Sequence, residues 1–432
     1  MHQSEDPSAL PRDDTEICTA TAVSSCLRAF VVNAFKHALR ALRHRNFRLF
    51  FAGQGISMIG TWVQQIAQAW LVYRLTGSPF LLGLTSFAGQ IPILFLAPIG
   101  GLLSDRIDRR RLLLVTQSVL MCQALALAAL TLSGSVQVWQ VIALASVYGV
   151  AMGFDTPVRQ SLLVGLVGDK QDLPSAIALN SMLMNTSRMI GPSIAGILLA
   201  LTSEGWCFLI NAASYVAVLI AVSQLRLAAR AGTRPHSALA GLREGLRYVR
   251  RSRPIRTLLP LLALMSFMAS PYVSVMPVMV RDVLGGGPHT LGFLVGAAGL
   301  GALLGTSWLA TRASATALPR TIAWSAGTAG VALASFSQSK SVWLSLPLML
   351  AVGFGIIVTA ASINTIMQTV VDDDKRGRVM SFYTMAFLGV SPLGALWAGA
   401  LASRLGAPAT LLIGGCACVV GALVYARRRL VL

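Results

Sequence analysis

Long apolar runs follow one another along this chain, with short charged gaps between them, and that alternation leaves few folds open. A helix that crosses a bilayer needs roughly 20 predominantly apolar residues. Twelve segments qualify: Phe47–Tyr73, Leu81–Leu103, Leu112–Leu132, Val138–Val158, Ala176–Leu201, Trp206–Leu225, Leu258–Val280, Leu291–Thr311, Thr321–Phe336, Val342–Ala361, Val379–Leu401 and Ala409–Ala426. Only 12% of the residues are charged, about half the share a soluble domain carries. The expected fold is therefore an all-α integral membrane protein with twelve transmembrane helices.

The charges orient these spans. The formal net charge of +19 could in principle signal a nucleic-acid partner. The arginines lie in the gaps between apolar runs, however, so membrane topology explains them and no nucleic acid is expected. With both termini inside, only Arg74, Arg281, Lys340 and Arg404 fall in outer loops. An odd number of spans would scramble that bias. The expected location is thus the inner, cytoplasmic membrane, with both termini in the cytoplasm. The polar, acidic start Met1–Asp6 does not read as a cleavable leader. Residues Leu27–Arg45 read as a basic amphipathic helix on the anionic membrane face.

The longest interior gap divides the spans six and six. The expected units are a tail over 1–45, a six-helix bundle over 46–225, a linker over 226–256, a second bundle over 257–427 and a tail over 428–432. The halves echo each other. Asp169-Lys170 precedes the fifth span as Asp374-Lys375 precedes the eleventh, and Pro192 sits in the fifth as Pro392 does in the eleventh.

Three constellations carry polar chemistry into the first half. The first span bears Gln54, Ser57, Thr61, Gln64, Gln65 and Gln68, spaced so that most share one helical face, with Gln64 or Gln65 on it. Amides facing lipid would cost several kcal/mol each, so the stripe must face protein or water. It is either glue between helices or the wall of a polar cavity. The fourth span bears Tyr148, Met152, Asp155 and Arg159 at spacings of four, three and four; Asp155 is the one acid well within a span. It either carries a proton or forms a structural pair with Arg159 or Arg188. The fifth bears Asn180, Ser181, Asn185 and Arg188, then Gly191-Pro192 and Gly196, where a helix can bend and pack closely. In the second half, Ser266, Ser270 and Ser274 lie beside Pro271 and Pro277 on the seventh span, and Ser362, Thr365 and Gln368 on the tenth. Ser270, Ser274 and Gln368 are expected to line a pathway.

The loop Gly101-Leu-Leu-Ser-Asp105-Arg106-Ile-Asp108-Arg109-Arg110 resembles the G-x-x-x-D-R-x-G-R-R loop between helices 2 and 3 of major facilitator superfamily transporters. Gly101, Asp105, Arg106, Arg109 and Arg110 match; Asp108 stands where the family has glycine. The Gly191-Pro192 segment resembles the helix-5 motif of exporters in that superfamily. Asp155-Thr-Pro-Val-Arg159-Gln-Ser161, Leu179-Asn180-Ser181 and Arg188-Met-Ile-Gly191-Pro192, with Leu42–Phe50 and Leu75–Ser78, are similar to the enterobactin-exporter-like branch that includes macrolide efflux proteins.

The resemblance implies two six-helix bundles rocking about a central site, with export of a bulky, largely apolar organic solute such as a drug, macrolide or siderophore. It also implies a cytoplasmic latch in which Asp105 faces the start of helix 11 near Val379-Met380-Ser381. Proton antiport is the expected energy source, with Asp155, Arg188 and Arg159 as coupling candidates. The chain has no phosphate-binding loop, no H-E-x-x-H and no paired intramembrane carboxylates, so an enzyme is not expected. No cofactor is implied, and Cys416-x-Cys418 puts its thiols on different helix faces, which disfavours a metal site. The expected partners are the small organic substrate, the proton and the lipid bilayer, with the chain acting as a monomer. An uncoupled facilitator, a lipid flippase and a non-transporting scaffold are the alternatives.

Overall fold

The computed structural model describes residues 40–104, 107–167, 169–225, 247–249, 252–312 and 317–430, and contains no strand among them. The first half holds α1 (Arg45–Thr76), α2 (Pro79–Ser104), α3 (Arg109–Leu132), α4 (Val138–Leu166), α5 (Leu173–Leu201) and α6 (Glu204–Ser223). The second holds α7 (Arg253–Met268), α8 (Tyr272–Val278), α9 (Pro288–Arg312), α10 (Leu318–Gln338), α11 (Val342–Val370), α12 (Asp373–Thr384) and α13 (Ser391–Leu430).

Eight stretches are long and apolar enough to cross a bilayer on length and composition alone. The longest, Lys375–Arg427, holds two crossings, parted at Gly406, whose φ of 84° a side chain would oppose. The remaining crossings are α1, α5 and α10, whose amides, hydroxyls and arginine dilute their hydropathy. Such polar spans are tolerated because they pack on protein. α7 and α8 form one broken crossing, interrupted at Ala269–Pro271. The arrangement is the twelve-helix, two-bundle fold the apolar pattern predicts.

Local chemistry sets the ends. Gly77 closes α1 in the left-handed region (φ 59°), its N–H donating to Tyr73 O at 2.8 Å. Asp108, the residue that departs from the family's loop pattern, caps α3: its carboxylate accepts from Arg110 N at 2.9 Å.

Within the first half α2 packs on α4, α1 on α5 and α6, and α3 on α4 and α6; in the second, α9 packs on α11, α10 on α11 and α13, and α13 on α7. Small residues let backbones meet. A Cβ on Gly353 would lie 1.9 Å from Ala298 O, and one on Gly301 1.9 Å from Leu350 O. A Gly353→Leu variant is therefore expected to lose more than about 3 kcal/mol by overpacking α9 against α11. Its unfolding temperature in detergent should fall well below wild type, and an unchanged temperature would refute this packing.

The halves meet along α5–α9 and α2–α13. Gly196 faces the Cα atoms of His289 and Gly292, and Gly292 faces Pro192 O; Gly83 faces Ala395 O, and Gly399 faces Pro79 O. All these contacts lie toward the end where α1 finishes and α2 begins. Toward the other end the α5 face made by Ile177, Ser181, Met184 and Arg188, spaced four, three and four, is open: Ile177 is 50% and Met184 52% exposed. The closest described approaches between the two halves thus gather toward one end of the molecule.

Candidate functional site

Asp155 on α4 is fully buried. It pairs with Arg159 one turn on, and its Oδ1 accepts from Thr116 Oγ1 at 2.9 Å and Gln117 Nε2 at 2.7 Å, both on α3. A buried carboxylate persists only when paired and hydrogen-bonded, and three donors meet that demand here. The Arg159 side chain is 16% exposed, so the pair reaches toward water at one edge. Arg188 takes no part in this cluster; Arg159 is the partner. Thr116 and Gln117 were not among the residues singled out in the sequence, although polar residues within an apolar run were the available signal.

The polar stripe of α1 divides. Gln64 Nε2 donates to Gln123 Oε1 at 3.0 Å, and its Oε1 accepts from Asn211 Nδ2 at 2.7 Å, clamping α1 to α3 and α6. Gln54, Ser57 and Gln64 are buried between helices rather than set on an open wall, and Gln54 Oε1 has no hydrogen-bond partner among the described residues. Thr61 Oγ1 donates to Ser57 O at 2.9 Å and lies 3.4 Å from Tyr215 Oη. Gln65 is exposed and donates to Tyr148 Oη at 3.3 Å, bridging α1 to α4; Gln68 is half-buried. Of the stripe, only Gln65 is exposed.

Arg188 lies at the closed end of the open α5 face and is partly buried. Its Cζ sits 5.9 Å from the Trp62 ring on α1, within cation–π range. The Tyr272 side chain, on the first residue of α8, lies near the guanidinium. A Cβ on Gly191 would lie 2.4 Å from Trp62 Cβ, so glycine is what lets α1 and α5 come this near. The helix runs through Gly191-Pro192 without interruption, and Pro192 and Gly196 meet α9 instead. The turn that interrupts a crossing falls on the other half, at Ala269–Pro271.

Asn185 Nδ2 donates to Ser181 O at 2.9 Å, and Asn180 Nδ2 lies 4.0 Å from Met184 Sδ, so both make local contacts on α5. Ser270 is half-buried at the break, while Ser274 is buried and donates to Ser86 Oγ at 3.1 Å, across the two halves. Gln368 is exposed near the end of α11 and donates to Asn364 Oδ1 at 2.8 Å.

In the arginine loop, Asp105 and Arg106 lie outside the described residues, and so does the latch contact expected of Asp105. Nothing would meet a Cβ on Gly101 within 4 Å. Arg109 Nη1 donates to Ser161 O at 3.2 Å; Arg110 Nε donates to Val222 O at 3.1 Å and its Nη2 to Ser223 O. Both arginines thus satisfy carbonyls near the ends of α4 and α6, where a cation is stabilised by the helix dipole. At the closed end Tyr73 Oη donates to Asp282, joining the halves, with Arg281 Cζ 5.8 Å from the Tyr73 ring. Arg74 Nε donates to Glu204 Oε1 at 2.7 Å beside them. No cluster able to hold a metal ion occurs among the described residues.

The profile of a family described as transmembrane secretion effector matches residues 36–431. The chain is 25% identical over 393 residues to the Staphyloferrin A transporter of Staphylococcus aureus (strain NCTC 8325 / PS 47), covering 88% of this chain and 95% of that protein. It is 28% identical over 370 residues to the multidrug efflux pump Tap of Mycolicibacterium fortuitum, covering 84% and 88%. Among solved structures, a bacterial homologue of the human lysosomal transporter Spinster, in an inward-facing and unoccupied conformation, superposes with a TM-score of 0.69 at 14% identity, covering 88% of this chain and 96% of that one.

Proposed function

Because the chain belongs to the transmembrane secretion effector family of major facilitator transporters, we propose that it exports a bulky, largely apolar organic solute from the cytoplasm by alternating access, as a proton antiporter. It is a multi-pass membrane transporter, not an enzyme. The observation that carries the reading is the asymmetry between the halves. Gly196, Gly292, Gly83 and Gly399 interlock them at one end, while the α5 face opens at the other. Such an asymmetry supports a rocking-bundle carrier, which needs two states whose free energies lie close enough for substrate to shift the balance.

In this reading the open end faces the cytoplasm with both termini, in the inner membrane. Bundles over 46–225 and 257–427 move about the linker 226–256, and the chain works as a monomer. Asp155 carries the proton: protonation would release Arg159 and loosen α3 from α4. Asp105 latches the cytoplasmic end in the opposite state. The relatives named for Staphyloferrin A and for multidrug efflux support a siderophore- or drug-sized cargo.

The complete burial of Asp155 favours one competing reading, in which the pair is a permanent pin and flux is uncoupled. Accumulation of radiolabelled erythromycin, tetracycline and novobiocin separates the two. Cells making the protein should hold less of at least one compound than cells without it, and an uncoupler should erase the difference. A difference that survives the uncoupler removes proton coupling; no difference for any compound removes drug export.

A further inference from the structure

Arg188 is the one basic residue deep inside an apolar span, and among the described residues it forms no ion pair. The described acids are engaged elsewhere or lie outside the spans. Asp155 pairs with Arg159, Glu204 with Arg74, Asp172 with His44 and Asp372 with Lys375, and Asp282 accepts from Tyr73 at the closed end. What surrounds the guanidinium is the Trp62 ring, the Tyr272 side chain and, along its own helical face, Met184 and Ser181. An aromatic face holds a cation in place without neutralising it. A lone charge at membrane depth is costly, so its counter-charge must come from elsewhere.

The position suits that role. Arg188 lies where the open α5 face ends against the closed contacts, near Tyr272, the residue that follows the interruption at Ala269–Pro271. Broken helices mark cargo sites in carriers of this architecture.

We propose that Arg188 receives a single anionic group, a carboxylate or its equivalent, on the transported solute, with Trp62 stacking against the apolar body beside it. This rests on the reading that the opening is the substrate path. It deepens that reading by assigning the cargo class: amphiphilic monoanions. One guanidinium forks onto one carboxylate, which matches a single anionic group.

Matched probes test the charge alone. Equilibrium dialysis of purified protein in dodecyl maltoside should show radiolabelled 1-naphthoate binding roughly ten- to a hundredfold tighter than 1-naphthamide, the worth of one charge-assisted contact. Arg188→Gln should bring the ratio to about one, chiefly by weakening 1-naphthoate binding. Should that variant fail to fold, Arg188→Lys decides, because replacing the fork with a point charge must lower the ratio severalfold. Equal binding of acid and amide by wild type, or a ratio that neither substitution moves, overturns the assignment. Drug export in cells would stand in either case, so the failure of this assignment is separable from failure of the export reading.

Discussion

Oxidation of a Ser193→Cys, Gly296→Cys double variant is expected to stop transport completely, and reduction to restore it. A Cβ placed on Gly296 would lie 3.7 Å from Ser193 Cβ, inside the window of about 3.5–4.5 Å that a disulfide spans. The nearest atom, Ser193 Oγ at 2.4 Å, is replaced in the variant by the sulfur that forms the bridge; the next, Met189 O at 3.2 Å, asks for a shift of a few tenths of an ångström. Ser193 lies on α5 of the first half and Gly296 on α9 of the second, among the glycine contacts that shut one end of the molecule.

If the halves rock, α5 and α9 must part there once per cycle, and a covalent bridge forbids it. The experiment needs a background without the six native cysteines, of which Cys122 and Cys416 are exposed. Either single cysteine variant should transport normally under oxidant. A bridge that forms to completion, seen as an electrophoretic shift, while flux continues would mean that the closed end never opens. Alternating access would then be wrong for this chain.

The same contacts show what the sequence could and could not reveal. Gly191, Pro192 and Gly196 stand out in sequence as a site of bending and close packing. The packing is there and α5 stays helical through the proline, while the turn that interrupts the seventh crossing falls at Ala269–Pro271. A proline in a helix interior removes one backbone hydrogen bond; whether the helix opens there depends on what packs against it. The twelve crossings were legible because burial in lipid demands long apolar runs, a local property. The facing of the α1 glutamines was not, since Gln64 and Gln65 differ by about 100° of rotation, and only the positions of α3, α4 and α6 decide which amide is clamped and which is left exposed. Arg188 was legible as an oddity. Its neighbours Trp62 and Tyr272 were not, because aromatic residues are unremarkable in a membrane span and Tyr272 lies in the opposite half. The Tyr73–Asp282 contact escaped notice for the converse reason: Asp282 sits beyond an apolar run, where an acid carries no cost and draws no attention.

Neutralising Asp155 is expected to separate coupling from folding. In Asp155→Asn the side chain keeps its shape and still accepts from Thr116 and Gln117, but Arg159 loses its carboxylate. Removing one member of a buried pair is strongly destabilising when the other stays buried. Here the Arg159 side chain is 16% exposed and can turn toward water, so the stability loss should stay within about 1–3 kcal/mol. Uphill, uncoupler-sensitive efflux should fall further, on the order of 5- to 150-fold, the range of coupling free energies between linked sites. The double variant Asp155→Asn, Arg159→Gln removes both charges and should recover most of the lost stability, since the two changes act on one contact. If Asp155 carries the proton, this variant still exchanges substrate across sealed vesicles but cannot accumulate it against a gradient. If the pair is only a pin between α3 and α4, the double variant should regain uphill efflux together with its unfolding temperature. Measuring counterflow, uphill flux and thermal unfolding on the three proteins therefore decides whether burial of Asp155 marks a coupling site or a fixed structural contact.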